Sequence, residues 1–219
     1  MPKVLGSAGI AEISGFYNGV VIANTRRGLV MRARPTYRRP TSPSQQEAMG
    51  RMSQVTNLWT ELNFATVTAW NDYAATLQHT NPVNGKRYSP TGFNTFTGLA
   101  MKVLQVDPEA TVPTVPPLLK FVGEQILLSA SPIPGHVRFT ATAPNTPGVT
   151  SELMLQKLVN IRRAAGTQFK TVGFFAFTAE QLSVDIPVEP GAYVPAYQFV
   201  NATTGQVAGV HVLERLELT

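Results

Sequence analysis

No cysteine occurs among the 219 residues, so disulfides, thiolate metal sites and a cysteine nucleophile are excluded. Charge is scarce too: Asp, Glu, Lys and Arg make up 14% of the chain, against roughly 25% in ordinary soluble domains. No stretch reaches the ~18 consecutive apolar residues of a membrane span. The opening MPKVLGSAGIAEISGFYNGVVIA lacks the basic region and long apolar run of a secretion signal. The expectation is cytoplasmic synthesis without export.

Chemistry-bearing patterns are equally sparse. There is no Gly-Lys-Ser/Thr phosphate loop and no G-x-S-x-G elbow. Gly6, Gly9, Gly15 and Gly19 do not lie between a strong strand and a helix, as a dinucleotide loop requires. They serve tight turns or close backbone approach instead. His79, His136 and His211 have no His or carboxylate at the tight spacing of a zinc site. Asp107 and Glu109, and Glu214 and Glu217, show no sign of converging in a cleft as acid–base pairs must. The sequence therefore predicts no catalytic residues, no metal and no cofactor.

What is present is a strongly uneven charge distribution. Segment 24–40 reads NTRRGLVMRARPTYRRP, with Arg26, Arg27, Arg32, Arg34, Arg38 and Arg39 and no acid. Residues 1–50 carry a net +5, which is the charge of the whole chain, so the remainder sums to zero. A basic arm on a neutral body points to an anionic partner, either phosphate or an acidic surface on a neighbouring subunit. Arginine offers phosphate a planar fork of donors, and Tyr17 and Tyr37 are placed to stack on bases. Arginine is also enriched in protein interfaces, so subunit contact and nucleic-acid contact both stay open.

An apolar fraction of 43% suffices for a packed core, and 17 Pro with 17 Gly favour many short elements joined by turns. Mean hydropathy is zero despite the few charges. That implies a surface that is polar but uncharged, or one hidden in an assembly.

In the arm, Phe16–Ala23 and Leu29–Arg34 read as two short strands around the turn Asn24–Gly28, the alternative being an extended arm. Such a hairpin is marginal alone and needs a docking partner. Ser42 and Pro43 then form a helix start, a cap followed by a proline whose missing N–H costs nothing. A helix is predicted from Pro43 to Leu62, with Met49, Met52, Val55, Trp59 and Leu62 on one face. A second, restarted at Asn63, runs from Ala65 to Gln78 with Val67, Trp70, Tyr73, Ala74 and Leu77. After a turn-rich loop, a third runs from Pro90 or Thr91 to Val106 with Phe93, Phe96, Leu99, Ala100, Val103 and Leu104. Their aromatics read as core.

Residues 107–120 hold four prolines and read as a semi-rigid linker. Beyond it, short apolar runs end at turn formers every ten or so residues. Strands are predicted at 125–129, 136–143, 153–163, 169–178, 181–187, 192–201 and 207–218, with 202–205 as the last hairpin turn. The run LMLQKLVNIRRA from Leu153 fits a helix equally well. Phe174, Phe175 and Phe177 must face both sides of a strand, which implies either burial on both faces or an interface patch.

The organisation expected is α+β. It comprises a basic Gly/Arg-rich arm or hairpin (1–40), a three-helix domain (41–106), a Pro-rich linker (107–120) and an antiparallel β-sandwich (121–219).

The order G-F-Y-N-G-V-V from Gly15, R-A-R-P from Arg32, T-S-P-S-Q-Q from Thr41, Trp59, Trp70 and S-P-T-G-F-N-T-F from Ser89 resembles a group of uncharacterised bacterial and phage-borne proteins. The resemblance covers about residues 10–100. It implies a glycine-rich start, a basic stretch, a P-x-Q helix start and a C-terminal β-domain, and no particular activity. By strand count the C-terminal half resembles immunoglobulin-like and fibronectin-III sandwiches, which are frequent on virion and surface assemblies.

The reading that follows is a structural, non-enzymatic component of a bacterial virus particle: capsid, decoration, or connector or tail part. It would be assembled in the host cytoplasm and localised to the virion. Arg26, Arg27, Arg32, Arg34, Tyr37, Arg38 and Arg39 would contact other subunits or nucleic acid, and Phe174, Phe175 and Phe177 are candidate interface residues. Partners would be further copies or other particle proteins. The alternative is a nucleic-acid-binding protein that works off the particle through the same arm.

Overall fold

The structure, a computed structural model, describes residues 15–17, 19–25, 28–34, 42–80, 85, 87–162 and 164–218. In chain order its elements begin with strands β1 (Gly15–Tyr17), β2 (Val20–Thr25) and β3 (Gly28–Ala33). Helices α1 (Pro43–Glu61) and α2 (Phe64–Thr76) follow, then β4 (His79–Thr80), β5 (Arg87–Tyr88) and α3 (Gly92–Val106). The rest is β: β6 (Leu128–Ile133), β7 (His136–Ala141), β8 (Val149–Leu158), β9 (Lys170–Phe175), β10 (Ser183–Pro187), β11 (Gly191–Asn201), β12 (His211–Val212) and β13 (Leu216–Leu218). The fold is mixed α+β, and its contacts divide it into two compact units, Met1–Gln46 and Glu47–Thr219.

In the first unit β1, β2 and β3 form an antiparallel meander, where the sequence predicts only two strands. The reason is Gly19. Its φ of +81° is a left-handed conformation that glycine adopts freely, and the chain reverses there. Thr25 pairs with Gly28, so the second turn is tighter than the expected span 24–28.

Helix α1 starts as expected at Pro43. Gln45 N–H donates to Ser42 Oγ (3.2 Å), and Ser42 N–H donates back to Gln45 Oε1 (3.4 Å), a reciprocal cap. Its apolar face is shorter than predicted: Val55 is buried, but Met49 and Met52 are exposed. Asn63 caps α2 by accepting from Thr66 N–H (2.9 Å), and Thr91 caps α3 by accepting from Asn94 N–H (3.2 Å). Val55, Trp70, Phe96, Ala100 and Leu104 make the helical core, joined by Val112 from the Pro-rich stretch. Trp70 meets Phe96 edge-on at 5.3 Å and donates from Nε1 to the Thr114 carbonyl (2.7 Å). The stretch 107–120 is therefore anchored on the helices at Val112 and Thr114.

The loop after α2 carries the small hairpin β4–β5, which the sequence does not signal. Further on, the first β-region strand lies at 128–133 rather than 125–129. Pro132 falls within it, on an outer strand of its sheet, where proline is tolerated. The ambiguous run from Leu153 belongs to strand β8, which starts at Val149 and ends at Leu158. Seven consecutive residues, Val149 to Leu155, are buried. A strand covered on both faces reads as a continuous apolar run, so its periodicity is lost. The segment 207–218, expected as one strand, splits into β12 and β13, both paired to β11.

Two sheets result, ordered β10-β7-β6 and β12-β11-β8-β9 with β13 also on β11, and neither closes on itself. Both contribute to one core, Val137 and Phe139 from the first, Leu153, Tyr197 and Phe199 from the second.

Helices and sheets also touch directly. The turn after β11, the predicted 202–205, puts Gly205 (φ +73°) against α3 so closely that a Cβ would lie 2.0 Å from the Leu99 carbonyl oxygen. Beside it, Gln206 Nε2 donates to Tyr73 OH (3.3 Å) and to the Leu119 carbonyl (3.0 Å).

Candidate functional site

The basic arm is described in part. Arg26, Arg27, Tyr37, Arg38 and Arg39 lie outside the described residues. Arg32 is on β3, opposite Val21, and Arg34 follows the strand with its N–H donating to the Gly19 carbonyl (2.8 Å). Alternation along an extended strand puts Val30, Arg32 and Arg34 on one face and Met31 and Ala33 on the other. Both guanidinium-bearing residues are exposed, and successive residues on one face stand about 7 Å apart. They form a short cationic row on the first unit's sheet.

The densest polar constellation lies elsewhere and was not singled out by the sequence. Glu152, on β8, is 2% exposed. Its carboxylate accepts from Lys102 Nζ of α3 (3.0 and 3.2 Å), Thr171 Oγ1 of β9 (2.5 Å) and Gln198 Nε2 of β11 (2.6 Å). Lys102 also donates to Gln105 Oε1 (3.0 Å) and lies over the Phe174 ring at 5.4 Å. Every acceptor site on the carboxylate faces a donor, as a buried charge requires. The arrangement leaves Glu152 no free lone pair for a substrate proton and makes it a clamp between helix and sheet. Its sequence signal is slight: one acid inside an otherwise apolar run.

A second knot fixes the start of β8. Glu124 accepts from Asn145 Nδ2 (2.5 Å) and Thr146 N–H (2.6 Å), while Asn145 Oδ1 accepts from Phe177 N–H (2.8 Å). This places the aromatic triplet. Phe177 is buried, Phe175 packs at the edge of the same core, and Phe174 is half-buried beneath Lys102.

On the surface, Arg138 of β7 and Asp185 of β10 form a two-pronged ion pair, with both contacts at 2.7 Å. The hydrogen bonds to Arg138 hold the Asp185 carboxyl below its ordinary value, and Asp185 in turn raises Arg138. Lys157 and Glu189 (2.7 Å) act on each other in the same way, the lysine raised and the glutamate lowered.

The histidines are scattered. His79 is on β4 against Tyr88, His136 on β7 with Nδ1 near the Pro134 carbonyl (3.0 Å), and His211 on β12 stacked on Tyr197 at 4.9 Å. Among the described residues no three His, Asp or Glu side chains group as a metal site would need. No helix is long and apolar enough to cross a membrane, again among the described residues.

One concavity has a definite structural position. A groove of about 480 Å³ runs between β9 and β10, the outer strands of the two sheets on one side, with Val172, Phe175, Val184 and Ile186 along it and Lys170 and Asp185 among its other lining residues.

No protein-family model matches this chain, and no curated protein matches it. Among solved structures, a crystal structure of wild-type OgpA from Akkermansia muciniphila is similar to part of it, at 11% identity and a TM-score of 0.29 over 54% of this chain. The chain spans 36% of that structure's length, and at this level of likeness neither fold nor function carries over.

Proposed function

We propose that this chain is a structural assembly protein, a component of a bacterial virus particle of the capsid, decoration, or connector or tail kind. It performs no catalysis in this reading and resides in the virion after assembly in the host cytoplasm. The Arg-rich arm joins the subunit to its neighbours or to packaged nucleic acid. The observation that carries the reading is that the entire net charge of +5 falls within the first 50 residues. Within that span Arg32, on a strand, and Arg34, just after it, stand exposed in a separate compact unit. The resemblance to phage-borne proteins over residues 10–100 points the same way. The two sheets sharing one core favour an immunoglobulin- or fibronectin-III-like sandwich as the body.

The test is the mass of the protein in solution at low and high salt, with and without residues 1–40. A large defined oligomer that collapses on arm deletion supports assembly. A monomer at every salt, unchanged by the deletion, overturns it.

A second reading is favoured by the cationic row itself: a nucleic-acid-binding protein acting off the particle. Its signature is affinity for a duplex oligonucleotide that falls linearly on a log–log plot with salt, because bound counterions are released. Replacing Arg32 and Arg34 by Ala flattens that slope under this reading and leaves it unchanged if the arm meets protein alone.

A further inference from the structure

We propose that the groove between β9 and β10 receives strand β3 of a second copy of this chain, paired in parallel to β10. The inference deepens the assembly reading and rests on it.

The backbone supplies the first argument. Ala141 N–H donates to the Leu182 carbonyl, and Val188 N–H donates to the Gly135 carbonyl. Hydrogen-bonding direction alternates along an antiparallel pair, so Val184 and Ile186 bond to β7 while Ser183 and Asp185 turn their N–H and C=O groups outward. On β3, Arg34 N–H bonds to the Gly19 carbonyl. The same alternation turns the N–H and C=O groups of Leu29, Met31 and Ala33 outward. Each strand thus presents an unpaired row among the described residues, the feature through which sheets gain strands.

Side chains then select the direction. In a parallel pair, a residue with outward groups bonds to the two residues that flank its opposite number. Asp185 therefore faces Arg32, Val184 faces Met31, and Ile186 faces Ala33. An antiparallel pairing would instead set Met31 against Asp185 and turn Arg32 towards the core. Only the parallel arrangement puts apolar residues over the groove and the opposite charges together outside. The ladder also ends naturally. Pro187 occupies the next outward position on β10 and has no N–H to donate.

Charge selects β10 over β9 and the arm as its partner. Segment 176–190 holds Glu180, Asp185 and Glu189 without a Lys or Arg, while 24–40 holds six Arg without an acid. Asp185 already binds Arg138, yet a carboxylate has room for a second guanidinium. The other edge, β9, carries Lys170 beside the groove and a register irregularity opposite Leu153 and Met154, both of which discourage pairing.

The absence of native cysteine makes the test direct. Full-length Arg32→Cys and Asp185→Cys variants are mixed under mild oxidation, and the disulfide-linked dimer is quantified by mass. Opposed positions on paired strands fall within disulfide reach, and at least a tenfold excess over a Met31→Cys with Asp185→Cys mixture is expected. Ser183→Pro removes one outward donor while leaving the backbone bonds of Val184 and Ile186 to β7, and should weaken self-association about tenfold beyond Ser183→Ala, which loses the same Oγ contact to Thr140 (3.2 Å) alone. An oligomer that forms without this cross-link, and that Ser183→Pro leaves intact, overturns the groove and leaves assembly standing. A chain monomeric at every salt overturns both. A disulfide formed within single chains of an Arg32→Cys/Asp185→Cys double variant overturns the second copy as occupant.

Discussion

Lys102 on α3 and Glu152 on β8 meet at 3.0 Å, with the carboxylate 2% and the ammonium-bearing side chain 20% exposed. Fifty positions apart in the chain, they tie the helical layer to the sheet. Thr171 and Gln198 complete the carboxylate's shell. A buried pair of this kind is expensive to form and more expensive to break.

Lys102→Met therefore destabilises the protein by about 3–5 kcal/mol, because Glu152 is left buried without its cation. Replacing both by Met recovers much of the loss, since the desolvation cost disappears with the charges. Urea unfolding of the two single variants and the double variant measures this. Equal losses in the single and double variants would refute the account.

Gly205→Ala and Gly135→Ala form a matched pair. Both glycines have φ near +70°, but a Cβ at Gly135 meets nothing within 4 Å, while at Gly205 it would strike the Leu99 carbonyl. The left-handed backbone alone costs about 1–3 kcal/mol in each. Gly205→Ala should exceed Gly135→Ala clearly, or fail to fold, and thermal melts of both give the difference.

Trp70→Phe keeps most of the buried ring but removes the donor to Thr114. A loss of about 1–3 kcal/mol in urea unfolding is expected for the stranded carbonyl and missing bond. The remaining tryptophan, Trp59, continues to report the transition by fluorescence.

Asp185 gives a pH signature. Its folded value lies below the ordinary 3.8 because Arg138 binds the charged form. The stabilisation is thus complete above pH 3.8 and is lost as pH falls through the lower folded value. Arg138 is raised by the same pair, so its own contribution is present throughout the neutral range and fades only in strong alkali. The difference in Tm between the parent protein and Asp185→Asn should hold steady near neutrality and vanish in acid. Both groups are exposed, so salt near 1 M, where screening acts over about 3 Å, should also shrink it.

Local signals were legible where local physics decides. Ser42 with Pro43, Asn63 and Thr91 announce three helix starts through side chains that satisfy the first free N–H groups. The stripe through Phe96, Ala100, Val103 and Leu104 marks its buried face by spacing alone. Met49 and Met52 continue the stripe on α1, yet stay exposed. Spacing shows which residues share a face but not how far a neighbour covers it. The candidate site was readable only as charge. Arg32 and Arg34 follow from composition, whereas the β9–β10 groove depends on which strands end up outermost.

The sequence by itself determined that the chain lacks thiol chemistry, carries its net charge in the first 50 residues, and places three helices between a short β arm and a β-rich second half. These properties follow from composition and from interactions a few residues long. Only the tertiary structure decided that LMLQKL is a strand, because its two-sided burial erases the periodicity that separates helix from sheet. It also decided that Glu152 finds Lys102, Thr171 and Gln198, since a buried charge is tolerated only where folding brings its partners from distant segments. The outermost place of β10 among the described strands is of the same kind, for an edge exists only once the other strands have found their neighbours.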